Sequence, residues 1–315
     1  MNRTGSARRS RVGSRAASTL AIAAALLLGF GAPACKKDGD SAAPGSKGAA
    51  KDPKGGGVTL RYNTAARTLK KNIKGSFTVT SGRGGGSISA DLSGQLDFTD
   101  NGEGTLKVSY KVLELRDYKS EMPQPEAGEG GEQAGPPPDP KAVAQSVTGA
   151  VIINDRGEPD EDKTKALPEN KRDENADPQV QSIHGMVEGM LGVPELPDEA
   201  LEVGKPVSKS EEKEIPSPMG MKIPSEIDTT IKLISIDEST GKRLATVEVE
   251  VEGGGAVEAQ GNMISMESSA TQTTIFNLDD QIPVSTKVTS TNAYTFGTQG
   301  SFELSFNYEA SFEPG

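Results

Sequence analysis

The sequence predicts a mainly β protein: a long-stranded, curved antiparallel sheet or half-barrel with one covering helix at about residues 178–191. Three observations carry this. Apolar residues alternate with polar ones over long runs, turn-forming residues punctuate those runs, and a single segment has helical spacing instead. Strands of about 10 to 15 residues exceed the usual 5 to 6. One-faced strands of that length accumulate twist, so the sheet is expected to coil and bury its apolar side by curling around it.

The first alternation follows Ile88, Ala90, Leu92, Gly94, Leu96 and Phe98. A second follows Leu106, Val108, Tyr110 and Val112, with Lys107, Ser109 and Lys111 between them, which excludes a helix there. Asp100, Asn101 and Gly102 join the two as a hairpin turn. The phase slips at Val112 and Leu113, the signature of a bulge. Ser120 to Lys141, with Pro123, Pro125, Gly128, Gly130, Gly131 and Pro136 to Pro138, reads as a disordered insertion at about 120–141. Asp155, Arg156 and Gly157 form a further turn signal.

Asp177 and Pro178 open the helix. Val180, Ile183, Val187 and Leu191 recur at helical spacing, and Gly192 and Pro194 end it. Its apolar stripe is expected to lie across the mouth of the sheet. Another hairpin runs from Ile227 to Val251 around Ser239, Thr240 and Gly241, with Val247, Val249 and Val251 opposite Glu248, Glu250 and Glu252, and a second phase slip at Leu233 and Ile234. After a turn at Asp279 and Asp280, the clearest strand closes the chain: Phe302, Leu304, Phe306, Tyr308, Ala310 and Phe312 share one face. Bacterial periplasmic lipoprotein carriers have an architecture of this sort, although their motifs are absent here.

At the other end, Leu20 to Phe30 is apolar and is preceded by Arg3, Arg8, Arg9, Arg11 and Arg15 without an acidic residue. A stretch of about 11 residues is too short to span a bilayer permanently and reads as the core of an export signal. Ala32, Pro33 and Ala34 lead into Cys35, the chain's one cysteine. This segment resembles a bacterial lipoprotein signal, with Ala32 and Pro33 where a Leu and an Ala or Ser are usual. The resemblance implies cleavage after residue 34 and lipidation of Cys35 by a thioether-linked diacylglycerol and an amide-linked acyl chain of the palmitate type. More than one chain, at about 0.8 kcal/mol per buried methylene, anchors a protein permanently. Arg8 and Arg9 do not make a twin-arginine signal, because Arg11 replaces the apolar residue expected after the pair. Lys36 follows the cysteine in place of the Asp that retains lipoproteins in the inner membrane, so the outer membrane is the expected destination.

The organisation expected is therefore a signal peptide at 1–34, a lipidated cysteine and solvated tether at 35–57, and one β-rich domain at 58–315. A tether of that length spans about 25 Å as a flexible coil. The full chain carries 34 Lys and Arg against 45 Asp and Glu; loss of the five signal arginines leaves 29 basic residues and a formal charge of −16. That charge disfavours nucleic acid and anionic headgroups as partners. A single cysteine also rules out a disulfide framework or a thiolate metal site.

Chemistry-bearing residues are sparse. His184 is the one histidine and falls within the expected helix, with no Gly-x-Ser-x-Gly elbow elsewhere. Met186, Met190, Met219 and Met221 with His184 could form a soft copper site, but methionines ordinarily fill cores. Glu158, Asp160, Glu161 and Asp162 lack the spacing of a calcium loop and read as a solvated run. Gly82, Gly84, Gly85 and Gly86 follow a strand without the Lys-Ser or Lys-Thr of a phosphate loop. No catalytic set and no cofactor is expected.

Two short motifs, Leu60-Arg61-Tyr62 and Leu196-Pro197 followed by Val203-Gly204, resemble those of an uncharacterised family of β-rich bacterial secreted proteins; Pro206 stands where that family has a Trp. The resemblance spans about residues 58–312 and implies no activity. The function expected is a non-enzymatic, membrane-anchored envelope lipoprotein that binds an envelope partner or serves a structural role. The alternative is a carrier of a lipid or other apolar ligand, with Phe302, Leu304, Phe306, Tyr308 and Phe312 lining the half-barrel.

Overall fold

A computed structural model of the chain describes residues 57–82, 84–121, 139–170, 178–217, 221–259, 261–297 and 300–315. The signal, Cys35 and nearly all of the tether lie outside them, as does most of the insertion; Ser120 ends a strand and Pro140 begins a helix, so its two borders are ordered elements.

Ten strands form one antiparallel sheet. They are β1 (Arg67–Ser81), β2 (Gly84–Gly102), β3 (Thr105–Ser120), β4 (Thr148–Asn154), β5 (Pro206–Pro216), β6 (Lys222–Asp237), β7 (Leu244–Ala259), β8 (Asn262–Asn277), β9 (Ile282–Phe296) and β10 (Ser301–Pro314). Their order is β4-β3-β2-β1-β10-β9-β8-β7-β6-β5. Every pair of neighbours is consecutive along the chain except β1 with β10, which joins the chain's first and last strands in register from Leu69↔Pro314 to Ser81↔Phe302. The sheet is not closed, and β4 and β5 are its free ends. It nevertheless curls, since Leu106 and Val108 of β3 share one buried core with Ile231 and Leu233 of β6, at the other end of the strand order.

Both phase slips are bulges. Val112 and Glu114 pair with the adjacent residues Gly94 and Ser93, leaving Leu113 extra; Leu233 and Ser235 pair with Val247 and Thr246, leaving Ile234 extra. The extra residues turn outward and are among the large apolar side chains left exposed. A bulge bends a strand and increases its twist, so each sits where the sheet turns around the core.

The α-helices among the described residues are α1 (Pro140–Gln145), α2 (Glu161–Lys165) and α3 (Pro178–Leu191). The covering helix is α3, over the span expected from its periodicity. Ile183, Met186, Val187, Met190 and Leu191 pack into the core. The sheet receives α3 at two glycines. A Cβ on Gly75 would stand 2.7 Å from Met190 Cε, and one on Gly94 would run into the Leu191 side chain. Glycine leaves room for that approach, and a larger residue at either position would have to displace the Met190 or Leu191 side chain.

The β4 edge is closed by side chains. Asn170, at the end of a short 3-10 turn (Pro168–Asn170), accepts from Ala150 N at 3.0 Å and donates to Ala150 O at 2.7 Å. Thr164 Oγ1 accepts from Ile152 N at 3.0 Å. These contacts occupy backbone groups that would otherwise template another strand. The β5 edge carries Lys209, Glu211, Glu212, Lys213 and Glu214 instead, a charge run that discourages pairing.

The two motifs of the family resemblance meet in space. Tyr62 Oη donates to Pro194 O at 2.7 Å and Arg61 Nη1 to Pro197 O at 3.2 Å, while Tyr62 N donates to Asp155 O at 2.6 Å. Gly204, at φ +78°, lets its N–H reach Leu233 O at 2.8 Å, so the Val203-Gly204 turn docks onto the β6 bulge. These residues brace one end of the half-barrel.

Candidate functional site

Between the free ends of the sheet and beneath α3 lies a cavity of about 620 Å3. One side is the β4 edge, with Ala150, Val151 and Asn170; the other is β5, with Glu211 and Lys213. Its roof is α3 and the segment after it, at Gly185, Gly189, Gly192 and Val193 to Pro197. Its floor is the inner face of β6 to β9, with Ile227, Ile231, Val251, Ala270 and Val288 among the lining residues. The volume falls within the roughly 300–1,000 Å3 of small-molecule sites, and the wall is mostly apolar, as such sites are.

The roof is low in volume because α3 turns glycines toward the cavity while its large side chains enter the core. Gly185 and Gly189 each cost about 1 kcal/mol of helix propensity relative to Ala. Their positions one turn apart leave space where side chains would otherwise fill it. At the rim, Glu211 pairs with Lys213 at 2.8 Å, and Glu188 and Glu195 stand on the roof side.

The floor contains polar groups in apolar register. Along β8 and β9 the inward positions include Ser268, Thr274, Thr286, Ser290 and Asn292, all buried. Thr274 and Thr286 satisfy each other at 3.1 Å, and Gln272 donates to Thr274 at 3.2 Å. Ser268 Oγ, Ser290 Oγ and Asn292 Nδ2 have no protein partner. Ser290 lies in the cavity wall.

Behind the helix end sits Lys71, on β1 in the inward phase of Leu69 and Ile73, and it is fully buried. Its Nζ donates to Met190 O at 2.6 Å and Gly192 O at 2.5 Å. It also stands 5.6 Å from the Tyr308 ring centroid and 5.2 Å from that of Phe312. An ammonium at a helix C-terminus satisfies orphan carbonyls and complements the negative end of the dipole. Burial works the other way and pulls its pKa down from 10.5 to about 7. Burial also pushes the Tyr308 phenol well above its ordinary value.

Of the five terminal-strand residues expected to line a cavity, Tyr308 does so. Leu304, Phe306 and Phe312 are buried in the packed core, and Phe302 stacks on Tyr294 at 4.9 Å and Phe296 at 5.4 Å. The remaining wall comes from β6 to β9 and the glycine side of α3. Its signal was present in the glycines inside a helical pattern and in the polar inward residues of β9. Lys71 was missed; the signal that could have found it is a lysine in the phase of Leu69, Ile73, Phe77 and Val79.

The other chemistry-bearing residues have structural employment. His184 Nε2 is 3.4 Å from Ser146 Oγ, but that hydroxyl donates to Val143 O at 2.7 Å at the end of α1. Met186 and Met190 are buried in the core, Met221 is half-buried, and Met219 lies outside the described residues. Glu158 binds Arg156 at 2.6 Å, Asp160 caps α2 through Lys163 N at 3.0 Å, and Glu161 pairs with Lys165 at 2.8 Å. Gly82 to Gly86 form the β1–β2 hairpin end, with Gly84 at φ +122° and Arg83 outside the described residues.

No protein-family model matches the chain, and no curated protein matches it. Among solved structures, an outer membrane channel from Pseudomonas putida F1 is similar at a TM-score of 0.21 and 9% identity, over 84% of this chain and 100% of that one. A likeness of that size carries no argument about activity or location.

Proposed function

We propose that the chain is a lipid-anchored carrier or binder of an apolar ligand in the bacterial cell envelope, held through Cys35 at the outer membrane and without enzymatic activity of its own. The observation that supports the ligand-binding reading is the cavity of about 620 Å3 under α3, whose size and mostly apolar wall are those of small-molecule sites. The anchoring reading is supported by the arginine-flanked apolar run that leads into Cys35.

Native mass spectrometry of the full chain released from bacterial envelopes, followed by organic extraction, tests both. The expected result is a chain that has lost residues 1–34, gained the mass of diacylglycerol and an acyl group, and retains one further lipid per molecule. Cys35→Ala is expected to abolish the covalent adduct and leave the chain outside the membrane fraction. A processed chain that carries no extractable ligand would contradict the carrier reading, and the favoured role would be a structural module with a protein partner. A C35A chain that stays membrane-bound would contradict the anchor.

A further inference from the structure

The floor of the cavity carries information about what the ligand looks like. Ser290 and Asn292 are two apart on β9, so they share its inner face, and Ser268 on β8 is the direct cross-strand partner of Asn292. The three side chains are 3%, 2% and 7% exposed. Ser290 Oγ, Asn292 Nδ2 and Ser268 Oγ are the atoms without a protein partner. A buried hydroxyl or amide left unpaired costs free energy that a hydrocarbon ligand could never return. Thr274, Thr286 and Gln272, nearby on the same strands, satisfy one another. These three unsatisfied groups form one contiguous patch of β8 and β9, which reaches the cavity at Ser290.

The charge of the walls narrows the class further. Glu188, Glu195 and Glu211 face the cavity, against Lys165 and Lys213. Lys165 and Lys213 are paired, with Glu161 and Glu211 respectively, each at 2.8 Å. Both lysines are thus already engaged by carboxylates, so an anionic headgroup would meet no uncommitted cation among these lining residues.

We propose that the cavity selects a neutral amphiphile: an acyl chain along the apolar floor, with an uncharged hydroxyl- or ester-bearing end hydrogen-bonded to Ser290 and, beyond it, to Asn292 and Ser268. This rests on the carrier reading above and adds the ligand's polarity and charge to it. The serine hydroxyls can donate or accept, and the Asn292 amide donates. A glyceride-type group offers partners for all three, which a bare hydrocarbon does not.

The test is displacement of the apolar fluorophore N-phenyl-1-naphthylamine from the purified full chain by three probes of equal chain length: 1-monomyristoylglycerol, myristate and tetradecane. Monomyristoylglycerol is expected to bind at least about tenfold more tightly than either competitor. Ser290→Ala and Asn292→Leu are each expected to weaken it about fivefold to tenfold relative to tetradecane measured in the same variant; Ser290→Ala is the milder change and serves if the leucine variant fails to fold. Fluorophore binding with no preference among the three probes, or with monomyristoylglycerol affinity unaffected by Ser290→Ala, would overturn the neutral-headgroup inference while leaving a carrier. Tighter binding of myristate would overturn the charge argument. Absence of fluorophore binding altogether would overturn the carrier reading with it.

Discussion

At the residue scale, Lys71 couples the sheet to the covering helix. Its ammonium is fully buried, and the carbonyls of Met190 and Gly192 are its hydrogen-bond partners. With a folded pKa of about 7 against 10.5, the unfolded chain holds one more proton than the folded chain between those values. Stability therefore rises with pH through that window, by at most about 1.4 kcal/mol per pH unit. The buried tyrosines Tyr62 and Tyr308, whose phenols are pushed up by burial, reverse the trend only where unfolded tyrosine ionises, near pH 10. Urea unfolding at pH 7, 8 and 9 should show wild type gaining stability with pH and Lys71→Met showing no such slope; parallel profiles would remove Lys71 as the cause. Asn170 makes a second residue-scale case. Asn170→Ala strips both the N–H and the C=O of Ala150 of their partner, and the expected loss is about 1–3 kcal/mol in the same assay.

At the element scale, α3 depends on glycines in strands that are otherwise built to be apolar. Gly94→Val is expected to push Leu191 out of its seat and cost roughly 1–3 kcal/mol. Leu191→Ala in the same chain should recover part of that cost, so a double-mutant cycle would give a coupling energy of about 0.5 kcal/mol or more. Strict additivity would mean that the two do not meet.

The elements also explain what could be read in advance. The strands of β2, β3, β6, β7 and β10 announce themselves because one face is apolar, and both bulges because the apolar phase slips by one residue. By contrast, β8 and β9 put Ser268, Thr286, Ser290 and Asn292 inward, so neither face looks apolar through their middles. The charge run that protects β5 as an edge also hides it as a strand. Closure of β1 on β10 joins Leu69 to Pro314, a pairing no local turn signal encodes. The candidate site was legible in the terminal strand only at Tyr308, because the cavity is made by strands whose inner faces are mixed and by a helix face that is mostly glycine.

At the scale of the whole molecule, an antiparallel sheet of ten strands curls far enough for its end strands to share a core but does not close. Full closure would remove both edges and the seam between them. Here α3 and the segment after it bridge that seam, and the space left under the bridge is the cavity. If this space is a binding site, occluding it from opposite walls must weaken or abolish binding. Gly189→Phe fills it from α3 and Ala270→Phe from β8. Titration with N-phenyl-1-naphthylamine is predicted to give saturable binding of one fluorophore per wild-type chain and at least about tenfold weaker binding in each variant, with thermal unfolding midpoints preserved. Folded variants that bind as tightly as wild type would contradict it.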